Sequence, residues 1–180
     1  LPEMKTQDFN LYRKTQTSGE ANSNNEILPT RYTDILESEI PGVTTFFDYE
    51  EGMAAAKKMN KPVMIDFTGH ACANCRKMER EVLSDPSVTK LLKENFVVIS
   101  LYVDDRFELP ADEWSKDTDG NDITTMGEKN LDFEIRLTRT NAQPQYVFLD
   151  LKGNTIENAG GYNRDITRFV RILEKAKAIF

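Results

Sequence analysis

The chain has 180 residues, of which 29% are charged and 39% hydrophobic, and this composition is ordinary for a soluble globular protein. Its length suits one domain with extensions and is sufficient for a hydrophobic core. The net charge of -7, with no opposing cluster of Lys and Arg, argues against nucleic-acid binding, and no apolar run approaches the roughly 20 residues of a membrane-spanning helix.

Residues 1–42 are expected to be a polar linker or N-terminal extension. Residues 15–26 read TQTSGEANSNNE, and such a run cannot bury enough apolar surface to offset the entropy lost on ordering. The N-terminus carries no signal-peptide pattern. The alternative is that the apolar residues of this segment dock on the domain, namely Ile27, Leu28, Tyr32, Ile35, Leu36 and Ile40.

The domain is predicted to begin at residue 43 with a short β-prone run. Asp48 and Glu51 then form a capping box that starts a helix, which ends at Asn60. Val63–Thr68 is continuously apolar except at its fourth and last residues, so it is interpreted as a buried central strand.

The next elements are two helices and a second buried strand. One helix is predicted from Cys72 to about Leu83, and Asp85-Pro86 signals the start of another. Residues 96–103 form the strand.

A polar stretch follows, and we interpret residues 106–124 as a peripheral insertion with the turn signal of a hairpin. Whether this insertion acts as a lid, determines partner specificity or is a peripheral addition without either role is open. Thr125 and Glu128 form another capping box, and the helix after it is expected to bury Leu131 and Ile135.

A hairpin and a helix close the chain. Residues 145–150 and 155–158 are predicted to be paired strands, and Asp165 caps the last helix. The apolar face of that helix consists of Ile166, Phe169, Val170, Leu173 and Ala176. This order of elements predicts a three-layer α/β domain whose mixed sheet is parallel early and antiparallel late.

Cys72 and Cys75 are the only cysteines, and they lie between a predicted buried strand and a helix. A helix N-terminus favours the thiolate, which is the reactive form of cysteine. Cys72, the outer residue, is placed to attack a partner disulfide. Cys75 lies one turn further in, so it is placed to resolve the resulting mixed disulfide.

Other uses of the two cysteines fit less well. A structural zinc site takes about four ligands, and the chain offers two cysteines and His70. Haem attachment needs a histidine at the position of Arg76. An inert disulfide over so short a loop would constrain the unfolded chain little. We therefore predict redox function, with no metal and no cofactor beyond the Cys72–Cys75 disulfide.

Three further residues are candidates for the site. Asp66 lies within an apolar strand, where burial would raise its pKa and allow it to take the proton of Cys75; the alternative is a solvated rim position. Pro144 is either a simple strand-start residue or a cis-proline beside the cysteines. His70 either lines the rim of the site or is an exposed loop residue.

Residues 63–76, VMIDFTGHACANCR, resemble the active-site segment of the thioredoxin family. The resemblance covers residues 43–180 and implies the thioredoxin fold: a central mixed sheet flanked by helices, here with an insertion before the cis-proline region. The residues that match the family's buried aspartate, nucleophile, resolving cysteine and cis-proline are Asp66, Cys72, Cys75 and Pro144.

Two departures make a general cytosolic thioredoxin a poorer match. The family's usual Trp is replaced by Ala71, and its Gly-Pro by Ala73-Asn74. The residues expected to face a partner protein are Pro144, the backbone of Gln143, His70, Ala71, Ala73 and Asn74.

A narrower resemblance fits better. Residues 83–88, LSDPSV, resemble the C-terminal thioredoxin-like domain of the thiol:disulfide interchange protein DsbD family. The Asp-Phe-Thr-Gly sequence at 66–69 and the insertion after residues 102–105 are similar to versions from Bacteroides-type bacteria. Glu79 matches a second acidic residue that tunes the nucleophile.

This resemblance implies a periplasmic reductant, tethered to the inner membrane through an upstream part of a larger protein. It would take electrons from a membrane electron-transfer domain and pass them to a periplasmic thiol domain, as in cytochrome c biogenesis. Two alternatives stay open: a freestanding periplasmic disulfide reductase, and a non-catalytic binding module whose disulfide stays closed.

Overall fold

A five-stranded mixed sheet forms the centre of the computed structural model, which describes residues 26–180. In chain order the strands are β1 (Thr45–Phe46), β2 (Val63–Thr68), β3 (Val97–Tyr102), β4 (Ser115–Lys116), β5 (Asp122–Ile123), β6 (Gln145–Leu149) and β7 (Thr155–Gly160). The helices are α1 (Tyr49–Met59), α2 (Ala73–Met78), α3 (Pro86–Asn95), α4 (Met126–Thr138) and α5 (Ile166–Ile179). A π-helical turn, Glu79–Leu83, directly follows α2, and a 3-10 turn spans Ala111–Glu113.

The sheet order is β1-β3-β2-β6-β7. Strands β1, β3 and β2 run parallel, whereas β6 and β7 are antiparallel to their neighbours. The predicted mixed sheet with helices on both faces is therefore confirmed. Strands β4 and β5 form a separate hairpin within the insertion, as the turn signal indicated.

Alternate residues of β2 enter two different cores, because successive side chains of a strand point to opposite faces. Ile65 and Phe67 pack with residues of α1 and α4. Met64 packs on the other face with residues of α2, α3 and α5. Asp66 shares the face of Met64, so its carboxylate lies on the side of the sheet that carries the cysteine helix.

Residues 26–42 pack against the domain, which corrects the expectation of a linker for this part of the chain. Leu36 and Ile40 are buried. The guanidinium of Arg31 forms ion pairs with Asp48 at 3.2 Å and with Glu113 of the insertion at 2.7 Å. The docking alternative therefore describes residues 26–42, although two of the residues expected to dock, Leu28 and Ile35, are exposed. The remainder of the expected linker, residues 1–25, lies outside the described residues.

The inward face of α4 differs from the expected one. Ile135 is 42% exposed and Leu131 is half-buried, whereas Asn130 and Glu134 are buried. The side-chain amide of Asn130 donates to the carbonyl of Tyr102 at 2.9 Å, so its polar group is satisfied inside. This face could not be predicted from apolar periodicity, because hydrogen bonds hold polar residues on it.

The first turn of α4 packs against the backbone of residues 103–105, where the insertion begins. The predicted capping box of Thr125 and Glu128 is present. The backbone N–H of Gly127 donates to the carbonyl of Asp105 at 2.9 Å. A Cβ at Gly127 would lie 2.7–2.9 Å from backbone atoms of Asp105 and Val103, which cannot move away as a flexible side chain could.

We expect Gly127→Ala to lower the free energy of unfolding by about 1–3 kcal/mol, because the added methyl group overlaps backbone atoms. Urea unfolding would measure this change. Ile135→Ala on the exposed side of the same helix is the control, with an expected change within about 0.5 kcal/mol. Equal losses in the two variants would contradict the described packing of α4.

Candidate active site at the cysteine pair

Cys72 and Cys75 form a disulfide at the start of α2, with their Cα atoms 5.2 Å apart. Cys72 is the N-cap of the helix, one position before the first turn in which it was expected, and its Sγ accepts from the backbone N–H of Cys75 at 3.1 Å. Cys72 is half-buried, whereas Cys75 is 1% exposed. The outer cysteine is therefore partly exposed at the surface, while the inner one is covered.

The loop before Cys72 is held by Asp104, which the sequence analysis did not identify. Its carboxylate accepts from the backbone N–H groups of His70, at 2.8 Å, and Ala71, at 3.0 Å. Burial alone would raise the pKa of Asp104, but the hydrogen bonds from Ala71 and His70 outweigh it and leave the pKa below its usual value. The loop is thus anchored to Asp104, two residues after the end of β3 at Tyr102.

His70 lies at the surface and is fixed rather than free. Its Nε2 pairs with the carboxylate of Asp105 at 2.7 Å, and its ring stacks on Tyr102 with the centroids 4.3 Å apart. About half of the side chain is exposed. His70 therefore joins the cysteine loop to the base of the insertion.

Asp66 is buried, which excludes a solvated rim position. It is 3% exposed and lies between Ser100 of β3 and Tyr146 of β6 in the strand pairing. The Ser100 hydroxyl donates to its Oδ2 at 3.4 Å. Burial raises the pKa of Asp66 to about 7, and the negative charge of Glu79 adds to this effect.

Glu79 is buried in the π-helical turn. Burial raises its pKa to about 7, against the opposing effect of Arg76. The guanidinium Nη2 of Arg76 lies 2.9 Å from the Glu79 carboxylate and 3.2 Å from both the Thr68 hydroxyl and the Gly69 carbonyl. Arg76 thus ties the cysteine helix to the end of β2.

Arg76 excludes haem attachment by its position in the sequence, but its contact with Glu79 was not predicted. The spacing of Arg76 and Glu79, three residues apart on a helix, is the local signal that could have indicated it.

Pro144 is buried and follows a cis peptide bond, so the cis alternative is the one found in the structure. Its neighbour Gln145 pairs with Phe67 near the end of β2, which places Pro144 at the edge of the sheet where the cysteine loop leaves. The side-chain amide of Gln143 is turned towards Glu134 and Asn141, at 2.6 and 3.2 Å.

Ala71, Ala73 and Asn74 are exposed around Cys72. Within residues 26–180, no group of three His, Cys, Asp or Glu side chains is arranged to hold a metal ion. None of the helices in the same range combines the length and the apolar character that crossing a membrane requires.

Comparisons with known proteins identify the family and the fold of the domain. The sequence model of the thioredoxin-like domain matches residues 49–177. Over 112 residues the chain is 25% identical to the thiol:disulfide interchange protein DsbD from two strains of Vibrio vulnificus. That alignment covers 62% of this chain but 15% of those proteins, so the chain corresponds to a small part of their length.

Solved structures have the same fold. A thioredoxin from Thermus thermophilus superposes with a TM-score of 0.54 at 26% identity, over 74% of this chain and 85% of that one. The oxidoreductase DsbH superposes with a TM-score of 0.58 at 16% identity, over 93% of this chain and 99% of that one. The second likeness supports the fold alone.

We expect Asp66→Asn to stabilise the oxidised chain at pH 8 by about 2–4 kcal/mol and to have little effect at pH 4. The pKa of Asp66 is higher in the folded than in the unfolded chain, so the folded state binds the proton more tightly. That contribution is complete below roughly pH 4 and is lost as the pH rises to about 7.

Chemical unfolding at both pH values would measure the difference. Asp119→Asn, in the exposed turn of the hairpin, is the matched control and should change stability little at either pH. A gain for Asp66→Asn of equal size at pH 4 would show that burial of the charge is not its cause.

Proposed function

The chain belongs to the thioredoxin-like domain family, and from this premise we propose that it is a thiol–disulfide oxidoreductase that works as a reductant or electron relay between proteins. The observation that carries the proposal is the disulfide between the half-buried Cys72, at a helix N-terminus, and the buried Cys75, on the face of the sheet that also buries Asp66.

The first step begins with both cysteines reduced. The thiolate of Cys72 attacks one sulfur of a partner disulfide; that disulfide breaks and its second sulfur leaves as a thiolate, which takes a proton from water. The N–H groups of the first helical turn stabilise the attacking thiolate, and the Cys75 N–H already points at the Cys72 Sγ.

The second step releases the partner. Cys75 gives its proton to the ionised Asp66 and attacks the Cys72 Sγ; the Cys72–Cys75 disulfide forms and the mixed disulfide breaks. The partner's sulfur leaves as a thiolate that takes a proton from water, so the partner is released as a dithiol. A pKa of about 7 suits Asp66 to this task because both of its protonation states are populated near neutral pH. Two electrons pass to the partner, and an upstream dithiol returns them by the reverse steps.

Partner docking involves the surface around Cys72 that includes Ala71, Ala73 and Asn74. An extended partner segment pairs with the backbone of Gln143 beside Pro144, as a strand is added to the edge of a sheet. The side chain of Gln143 points inward, which leaves its backbone for this contact. His70 borders the same surface through its pair with Asp105. Glu79 tunes the site through Asp66 and Arg76.

The proposed relay role also implies where the domain is located and which proteins it reacts with. We propose a periplasmic domain of Bacteroides-type origin, tethered through an upstream membrane part that supplies electrons, with a second periplasmic thiol domain as the acceptor. The likeness to part of DsbD supports this role, as do the insertion and the Asp-Phe-Thr-Gly sequence. A role in cytochrome c biogenesis belongs to the same proposal. A freestanding reductase would use the same chemistry without the tether.

We expect Cys75→Ala to accumulate a mixed disulfide with a protein substrate, because Cys72 still attacks and nothing resolves the product. Reduced variants would be mixed with oxidised insulin and examined by non-reducing electrophoresis and mass spectrometry.

Cys72→Ala is the control and should trap nothing, since the remaining sulfur is covered. If neither variant traps a protein, the exchange mechanism is wrong. A disulfide far more reducing than those of known relays, together with no insulin reduction, would support the binding-module alternative.

A further inference from the structure

A second buried carboxylate lies beneath the loop that precedes Pro144. Glu134 of α4 is fully buried, and α4 packs on the face of the sheet opposite to Asp66. Glu134 therefore takes no part in the proton chemistry proposed for the cysteines. A buried carboxylate is costly unless other groups stabilise it, so its contacts indicate what it does.

The contacts of Glu134 are made with the docking loop, residues 141–143. Its Oε1 accepts from the side-chain amide of Gln143 at 2.6 Å. Burial raises the pKa of Glu134 to about 7, while the hydrogen bonds from Gln143 and from the backbone N–H of Ala142 oppose this shift. Within residues 26–180 its Oε2 has no hydrogen-bond partner. The carboxylate is therefore directed mainly at this loop.

Side-chain hydrogen bonds hold the loop on both sides of Pro144. Before Pro144, the amide of Gln143 donates to Glu134 and also to Asn141 at 3.2 Å. After it, the side-chain oxygen of Gln145 accepts from Thr140 at 2.9 Å. These side-chain hydrogen bonds therefore hold the loop on both flanks of the Gln143 backbone.

We propose that Glu134 is a positioning residue for partner docking: by holding the side chain of Gln143, it fixes the Gln143 backbone in the orientation that pairs with an extended partner segment. This inference rests on the proposed function. Glu134 acts through Gln143 and touches no reacting sulfur. It therefore raises the rate of reaction with protein disulfides, which must dock, and has little influence on the rate with small disulfides, which need no docking.

An apolar side chain would fill the same space without the cost of burying a charge. It would leave the amide of Gln143 without its charge-assisted hydrogen bond, however, and the loop would sample other orientations. The effect expected on removing the carboxylate is therefore loss of substrate recognition rather than loss of the fold.

The test compares two substrates of the reduced full chain: oxidised insulin and the small disulfide 5,5′-dithiobis(2-nitrobenzoate). Second-order rate constants would be measured for the wild type, Glu134→Leu and Arg136→Gln. Arg136 lies on the exposed side of α4, so Arg136→Gln is the matched control. Thermal unfolding would establish that each variant is folded.

We expect Glu134→Leu to react with insulin about tenfold more slowly, which corresponds to the loss of one charge-assisted hydrogen bond, and to react with the small disulfide at a rate within about twofold of the wild type. The exchange variant Glu134→Gln with Gln143→Glu restores an amide–carboxylate pair in reverse and should recover most of the insulin rate. If Glu134→Leu does not fold, Gln143→Leu removes the same hydrogen bond from the loop side and should show the same selective loss.

Two results would overturn the inference: an equal loss with both substrates, or an insulin rate like that of the wild type in both Glu134→Leu and Gln143→Leu. In either case a wild type that reduces insulin leaves the proposed function intact. A wild type that reacts with insulin no faster than a simple dithiol does would overturn the docking step and with it both proposals.

Discussion

The rest of the site depends on the burial of one carboxylate, that of Asp66, beneath the cysteine helix. Strand alternation places it on the face that α2 covers, and the strand pairing puts Ser100 and Tyr146 on its two sides. The cost of removing its charge from water is relieved by proton uptake near neutral pH. The positive charge of the Arg76 guanidinium opposes the rise in the pKa of both Asp66 and Glu79.

Sheet topology brings the other parts of the site to the same edge. The parallel strands β2 and β3 end there, so the loop that leaves β2 meets Asp104, which follows the end of β3. The antiparallel strand β6 begins at this edge and carries Pro144 to it. Residues from three separate parts of the chain therefore meet at the edge of the sheet where the cysteine loop leaves, and the insertion is attached to them through Asp105 and His70.

Features with a local signal were predictable. The capping box at Thr125 and Glu128, the continuous apolar strand and the periodic last helix depend on neighbours in sequence, as does the placement of Cys72 and Cys75. At the first helix only half of the predicted capping box forms: Asp48 accepts from the backbone N–H of Glu51, but the Glu51 carboxylate binds the backbone N–H groups of Thr30 and Arg31. Asp104 was missed because the N–H groups that it binds lie more than 30 residues away. Glu134 was missed because a helix face that carries buried polar groups does not show apolar periodicity. The docking of residues 26–42 depends on partners such as Glu113, which sequence alone does not bring near.

Three buried carboxyl groups with pKa values of about 7 also alter the electrical character of the folded chain. The formal net charge of -7 counts each of them as fully ionised. At pH 7 the folded chain instead retains about one to two protons on Asp66, Glu79 and Glu134 that an unfolded chain would release. The native protein therefore migrates in an electric field as a less acidic molecule than its composition implies, and it takes up protons from its buffer as it folds.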